Sequence, residues 1–189
     1  MPLHSLARYA ALTALVVVSA CTSSGVGGSS ASSAGSGPAL SEDLFPIEAR
    51  SAVYAMTKGE RRTLRFEPLT ADTSTLWFEG GVSPQRLDVE RTATGIVLRS
   101  DLASGTEVIR FGAAPGAAWT SGESDVTFEG WERLHLPAGN FDAARVRTRL
   151  AVNGVVQEET WWFAPRTGIL RLRSNYAGLF TEEMTLAPR

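Results

Sequence analysis

The chain has 189 residues, 18 basic and 20 acidic side chains, a formal net charge of −2 and a single cysteine. So small a net charge argues against a strongly electrostatic nucleic-acid binder, and one cysteine excludes an internal disulfide framework. With His4 and His135 as the only histidines, three His ligands for a metal are excluded, and no cofactor is implied.

The first twenty residues read as an export signal. His4 and Arg8 form a short n-region, and an apolar run follows from Tyr9 to Ala20. That run is too short to span a bilayer as a mature helix and has the length of a signal-peptide h-region. Val18-Ser19-Ala20-Cys21 has the form of a bacterial lipobox: an aliphatic residue, two small residues, then cysteine. Cleavage before Cys21 would leave its sulfur to carry diacylglycerol. Each buried CH₂ contributes about 0.8 kcal/mol, so one acyl chain binds marginally and two or three hold a protein durably. The expected partner is therefore the lipid bilayer, through acylated Cys21. Thr22, and not Asp, follows the cysteine. The expected place is the outer membrane, facing the periplasm, if the source is Gram-negative.

Residues 21–39 are then the lipidated cysteine and a tether. From Thr22 the stretch is almost wholly Ser, Gly, Ala and Thr, ending near Pro38. It cannot bury apolar area, and a flexible chain of this length spans roughly 25 Å. Residues 40–189 have the size of one domain. A chain of about 150 residues buries about 68–70% of its unfolded surface and needs no disulfide or metal. Removal of residues 1–20 takes away Arg8 and leaves 17 basic against 20 acidic residues.

The domain reads as all-β. Leu40–Ala49 is the best helix candidate, with Ser41 as a cap and Pro46 limiting its length. Strand composition then recurs between Gly, Pro and Asn punctuation. The expected strands are Ser51–Thr57, Arg62–Glu67, Ser74–Glu79, Gln85–Thr92, Ile96–Asp101, Thr106–Phe111 and Ser124–Leu136. Asp142–Val152, Val155–Phe163, Ile169–Tyr176 and Leu179–Leu186 follow.

Asn153-Gly154 is the clearest local signal, since Asn-Gly suits a two-residue type I′ hairpin. Pairing Val152 with Val155 sets the register. Val146 then faces Trp161 and Ala144 faces Phe163; on the other face Arg149 meets Glu158, Arg147 meets Thr160 and Arg145 meets Trp162. A one-residue slip would scramble both faces. After the Ala164–Gly168 turn, Leu170 and Leu172 are expected to face in, with Arg171 and Arg173 facing out. Those two arginines would extend the surface of Arg145, Arg147 and Arg149. Such a stripe is either a solvated face paired with Glu158, Glu182 and Glu183 or a contact for an anionic partner.

Adjacent Trp161 and Trp162 must point to opposite faces of a regular strand. Trp161 is expected in the core. Trp162 is expected on the outer face, either as an apolar contact for a partner or covered by an arginine stem. Trp162, Arg145, Arg147, Arg171 and Arg173 are thus the candidate binding residues.

Chemistry is harder to find. His135 sits in an alternating strand, no Gly-x-Ser-x-Gly elbow is present, and no Gly-rich loop precedes a helix. A glycosidase-like pair would have to come from Glu79, Glu90, Glu107, Glu129, Glu132, Asp142 and Glu159, none of which is marked out. No catalytic residue and no metal ligand is assigned.

Leu136-Pro137-Ala138-Gly139-Asn140-Phe141, followed by a strand and Trp161-Trp162-Phe163-Ala164-Pro165-Arg166-Thr167-Gly168-Ile169-Leu170, resembles the close of the TapB-like family of β-rich domains in bacterial exported proteins and lipoproteins. Leu44-Phe45-Pro46-Ile47 and Tyr54 match its opening in part. The resemblance implies a twisted antiparallel sheet or partial barrel and no particular activity.

The expectation is an envelope lipoprotein with a non-enzymatic β domain. It would bind a protein, glycan or lipid, or support the envelope. The alternatives are a tethered hydrolase using carboxylates and a binder of lipid or another hydrophobic ligand. Two converging carboxyls in a cleft would favour the hydrolase, and an empty apolar groove the lipid binder.

Overall fold

A computed structural model describes residues 37–80, 85–100, 103–152, 155–178 and 180–188. Cys21, most of the tether and the Asn153-Gly154 turn lie outside these residues. The described part is all-β, as the alternation predicts. Its strands are β1 (Arg50–Met56), β2 (Arg61–Pro68), β3 (Thr73–Glu79), β4 (Gln85–Arg91), β5 (Gly95–Ser100) and β6 (Ala103–Arg110). They continue with β7 (Ala118–Ser121), β8 (Ser124–Leu136), β9 (Gly139–Val152), β10 (Val155–Ala164), β11 (Gly168–Tyr176) and β12 (Phe180–Leu186).

All neighbours pair antiparallel in one sheet ordered β6-β5-β4-β3-β2-β1-β12-β11-β10-β9-β8-β7. Every junction but one joins strands consecutive in sequence; β1 with β12 brings the chain ends together. The sheet curls until its edges β6 and β7 meet. Among the described residues no backbone ladder joins them. Instead the Glu107 N–H donates to Ser121 Oγ at 2.7 Å, and Trp119 Nε1 donates to the Glu107 carbonyl at 2.8 Å. The edge strands thereby satisfy buried backbone groups with side chains, giving a nearly closed barrel.

β7 is the one strand absent from the sequence-based set. It has four residues and one large apolar side chain, Trp119, which is too short a run to show alternation.

The hairpin register agrees residue for residue. Val155 pairs with Val152, Trp161 with Val146, Phe163 with Ala144, Glu158 with Arg149 and Trp162 with Arg145. Between β10 and β11 the register shifts, so that Trp162 pairs with Arg171 but Phe163 with Ile169. Leu170 is the extra residue of this bulge. It therefore joins Trp162 in an outer cluster and does not face in; only Leu172 packs on the main core.

That core fills the barrel. Leu64, Leu76, Ile96, Val126, Phe128, Val146 and Phe163 are fully buried within it. One end of the barrel is stopped by the N-terminal segment. Leu44 and Phe45 have no exposed surface, and Phe45 sits between Phe66 and Phe163, with ring centroids 5.6 and 5.8 Å away. Leu40 exchanges backbone hydrogen bonds with Gly112 and Ala113, each 2.9 Å, and the Arg166 N–H donates to the Asp43 carbonyl at 2.7 Å. The expected helix reduces to one 3₁₀ turn, Glu42–Leu44, and Ser41 makes no side-chain cap bond. Its hydroxyl bonds Asp43 Oδ1 instead. Burial of Leu44 and Phe45 in the barrel end overrides helical propensity here.

Just before this segment, Trp131 Nε1 donates to the Pro38 carbonyl at 2.7 Å. The last residues before Leu40 are thus fastened to the sheet.

Candidate functional site

The arginines singled out in the sequence do share the outer face of β9, β10 and β11. Each of the four has carboxylates beside it. Glu129 on β8 meets Arg145 at 2.5 Å and Arg147 at 2.8 Å. Glu158 stands 3.6 Å from Arg147, although its direct cross-strand neighbour is Arg149. Glu183 on β12 reaches Arg171 at 3.5 Å and Arg173 at 2.8 Å. Four cations are set among Glu129, Glu132, Glu158 and Glu183, which balances the charge. The geometry is that of a cross-strand ion-pair network on a wetted sheet face.

Trp162 lies on that face but is not open to a partner. Only 4% of it is exposed. Leu134, Leu136, Ala143, Ala164 and Leu170 pack with it in a second, smaller core. The Arg171 and Arg173 guanidiniums sit 5.4 and 5.9 Å from its ring centre, and its Nε1 donates to Glu132 Oε1. Of the two alternatives for this ring, cover by arginine is the one seen: the end of the long β8–β9 hairpin supplies Leu134 and Leu136, and Arg171 and Arg173 lie over the ring.

The candidate carboxylates are dispersed. Glu79 holds Arg65, Glu90 holds Arg99, Glu107 holds Arg110, and Asp142 holds Arg133. Glu129 and Glu132 belong to the network above. His135 hydrogen-bonds Asn140 through Nδ1 at 2.7 Å on an exposed strand. Among the described residues no group of three His, Cys, Asp or Glu is placed to hold a metal ion.

Glu159 differs. It stands on the Trp161 side of β10, between Thr148 and Ser174, both buried. Burial pushes its carboxyl above the usual range, partly offset by hydrogen bonds from Gln157 and Ser174. Gln157 Nε2 donates to it at 3.1 Å. No arginine pairs with it among the described residues. A carboxyl that ionises less readily folded than unfolded keeps its proton to a higher pH in the native state. The unfolded chain loses that proton first as pH rises, near the ordinary Glu value of about 4.3. Stability contributed by this group therefore falls as pH rises from there through the higher folded value. Glu159→Gln keeps the shape and removes the charge. Its thermal midpoint at pH 7.5 is expected to exceed that of the parent by a few degrees, on the order of 2–4 °C per kcal/mol. The gain should vanish near pH 4. Melting curves across that range check it, and a lower midpoint at pH 7.5 would contradict it.

Two hollows mark the surface. One of about 500 Å³ lies between Pro137, at the tip of the β8–β9 hairpin, and Ala55, Thr57, Thr181 and Thr185. The other, about 790 Å³, lies at the stopped end, where Glu42, Glu48, Arg91 and Arg166 line it. Those four residues come from the N-terminal segment, the end of β4 and the β10–β11 turn. No local sequence signal connects them, so only the fold reveals the grouping.

No protein-family model matches the chain, and no curated protein does. Two solved structures resemble it. A candidate lipoprotein from Parabacteroides distasonis is 12% identical, with a TM-score of 0.46, over 81% of this chain and 99% of that one. A candidate exported protein with YmcC-like fold from Bacteroides fragilis is 11% identical, with a TM-score of 0.48, over 80% and 98%. At these identities neither carries a function to this chain.

Proposed function

We propose that the chain is a lipoprotein of the bacterial envelope, acylated at Cys21 and held at the outer membrane on its periplasmic face. Its β domain would act without catalysis, as a binding or structural module. The observation that carries the reading is the lipobox Val18-Ser19-Ala20-Cys21, placed behind an apolar run of signal length and ahead of a Ser/Gly tether. Six of the seven candidate carboxylates are ion-paired, and the seventh, Glu159, is held by burial and hydrogen bonds; this supports a non-catalytic role, because a general acid or base needs a proton-transfer group free to meet substrate. The filled core supports ligand contact on the outside of the barrel in preference to its interior. We also place the chain near the TapB-like family. Its motif residues do structural work here: Gly139 and Gly168 adopt positive φ of 136° and 78°, and Trp161 and Phe163 fill the core.

Metabolic labelling with a palmitate analogue tests the anchor. The parent chain is expected to label and Cys21→Ala to lose the label and leave the membrane fraction. Equal labelling of both would sink the lipoprotein reading.

A further inference from the structure

Most arginines on the strands, from Arg62 with Glu182 to Arg173 with Glu183, stand against carboxylates; Arg61 and Arg149 are strand arginines without an ion pair among the described residues. The hollow at the stopped end gathers unpaired charges of both signs in one place. Arg91 and Arg166 line it, and neither makes an ion pair among the described residues. Arg91 Nε is buried without a hydrogen-bond partner. Glu42, Asp43 and Glu48 line the same hollow, likewise without an ion pair among the described residues. Opposite charges share one hollow of about 790 Å³ with no direct ion pair between them, although the Glu48 carboxylate also interacts electrostatically with the Arg50 guanidinium. That volume is in the range of small-molecule sites, about 300–1,000 Å³.

The backbone adds a second observation. Arg166 has φ of 60°, one of two non-glycine residues with positive φ among those described. Such a conformation costs on the order of 1 kcal/mol, and strained residues of this kind cluster at ligand clamps. Its N–H is held by the Asp43 carbonyl, which ties the β10–β11 turn to the N-terminal segment. Arg50 reinforces the positive side. Its guanidinium lies 4.4 Å from the Phe66 ring centre, and Nη1 donates to the Thr167 carbonyl at 2.7 Å, with no ion pair of its own.

Unpaired guanidiniums and unpaired carboxylates around one hollow suit a ligand that carries both signs. We infer that the hollow binds a phosphoethanolamine zwitterion, its phosphate on Arg91 and Arg166 and its ammonium on Glu42 and Glu48. Arginine matches phosphate with forked donors, and a primary ammonium offers three donors to carboxylates. The choice of a phospholipid headgroup chemistry rests on the lipid-anchor reading, since the tether enters the domain at this end. The binding chemistry itself does not depend on acylation.

The test uses the signal-cleaved chain with Cys21→Ser, titrated with soluble O-phosphoethanolamine and followed by backbone amide shifts. Saturable binding is expected, with shifts at Arg91, Arg166 and Glu48. Arg91→Gln and Glu48→Gln should each weaken it about tenfold, as loss of a charge-assisted hydrogen bond does. Arg166→Gly should weaken it similarly while keeping or raising the thermal midpoint, because glycine relieves the positive φ. Inorganic phosphate should bind more weakly than the zwitterion. Absence of saturable binding, parent-like affinity in the three variants, or equal affinity for inorganic phosphate would each overturn the assignment. Flotation with phosphatidylcholine vesicles, with and without phosphatidylethanolamine, separates the sources. Selective flotation with phosphatidylethanolamine assigns the lipid headgroup; soluble binding alone assigns a free phosphoethanolamine compound. The palmitate experiment tests the anchor separately, so the two readings can fail independently.

Discussion

Trp161→Ala is expected to destabilise the domain by about 3–5 kcal/mol, the usual cost of emptying a buried tryptophan site. Only 3% of Trp161 is exposed, and its ring stacks on Phe163 with centroids 6.0 Å apart and planes 4° from parallel. Val146 and Leu172 flank it on the neighbouring strands. Trp162→Ala should cost a comparable amount, because its ring is the largest member of the outer cluster. Glu158→Ala is the contrast. It removes an ion pair whose partners are both more than a third exposed, worth about 0.2–1 kcal/mol. Chemical denaturation of the three variants decides the matter. A Trp162→Ala loss as small as that of Glu158→Ala would mean that the outer cluster contributes no packing and that its ring is available for contact.

Phe45→Ala should also cost about 3–5 kcal/mol, although Phe45 belongs to no strand. Its ring is wholly buried and meets Phe66 edge-on, at 69° between planes. The segment is attached by few backbone bonds, so its loss should be partly local. Hydrogen exchange should speed up first at the Gly112 and Arg166 amides, which donate to Leu40 and Asp43. Parent-like stability, with those amides still protected, would show that the segment covers the barrel end without supporting it.

The β9–β10 hairpin was legible because its determinants are local. Alternation assigns faces, and a two-residue turn leaves one register in which Trp161 meets Val146 and Trp162 meets Arg145. The same reasoning misplaced Leu170, since a bulge between paired strands leaves no mark in the alternation of one of them. It also expected a helix over Leu40–Ala49. The capping residues are present, but the driving force is burial against Phe66 and Phe163, far away in sequence.

The candidate site divides in the same way. Residue types and alternation identified a face rich in Arg145, Arg147, Arg171 and Arg173. They offered Glu158, Glu182 and Glu183 as its partners, and Glu158 and Glu183 do stand beside it, but they could not show that Glu182 would turn to Arg62 or that Glu129, on β8, would hold Arg145 and Arg147. Nor could they show that the hairpin end would bury Trp162. Strand order and sheet curl decide both, and these depend on pairings between distant segments.

By itself, then, the amino-acid sequence determined the β class, most strand positions, one hairpin register and the lipobox motif. All of these follow from periodicity, turn chemistry and short contiguous patterns. Only the tertiary structure decided how the sheet curls, what stops its end, which charges are matched and which are left unpaired around a hollow. Each of those is set by residues many tens of positions apart, whose meeting depends on the free energy of the whole core and on no local rule.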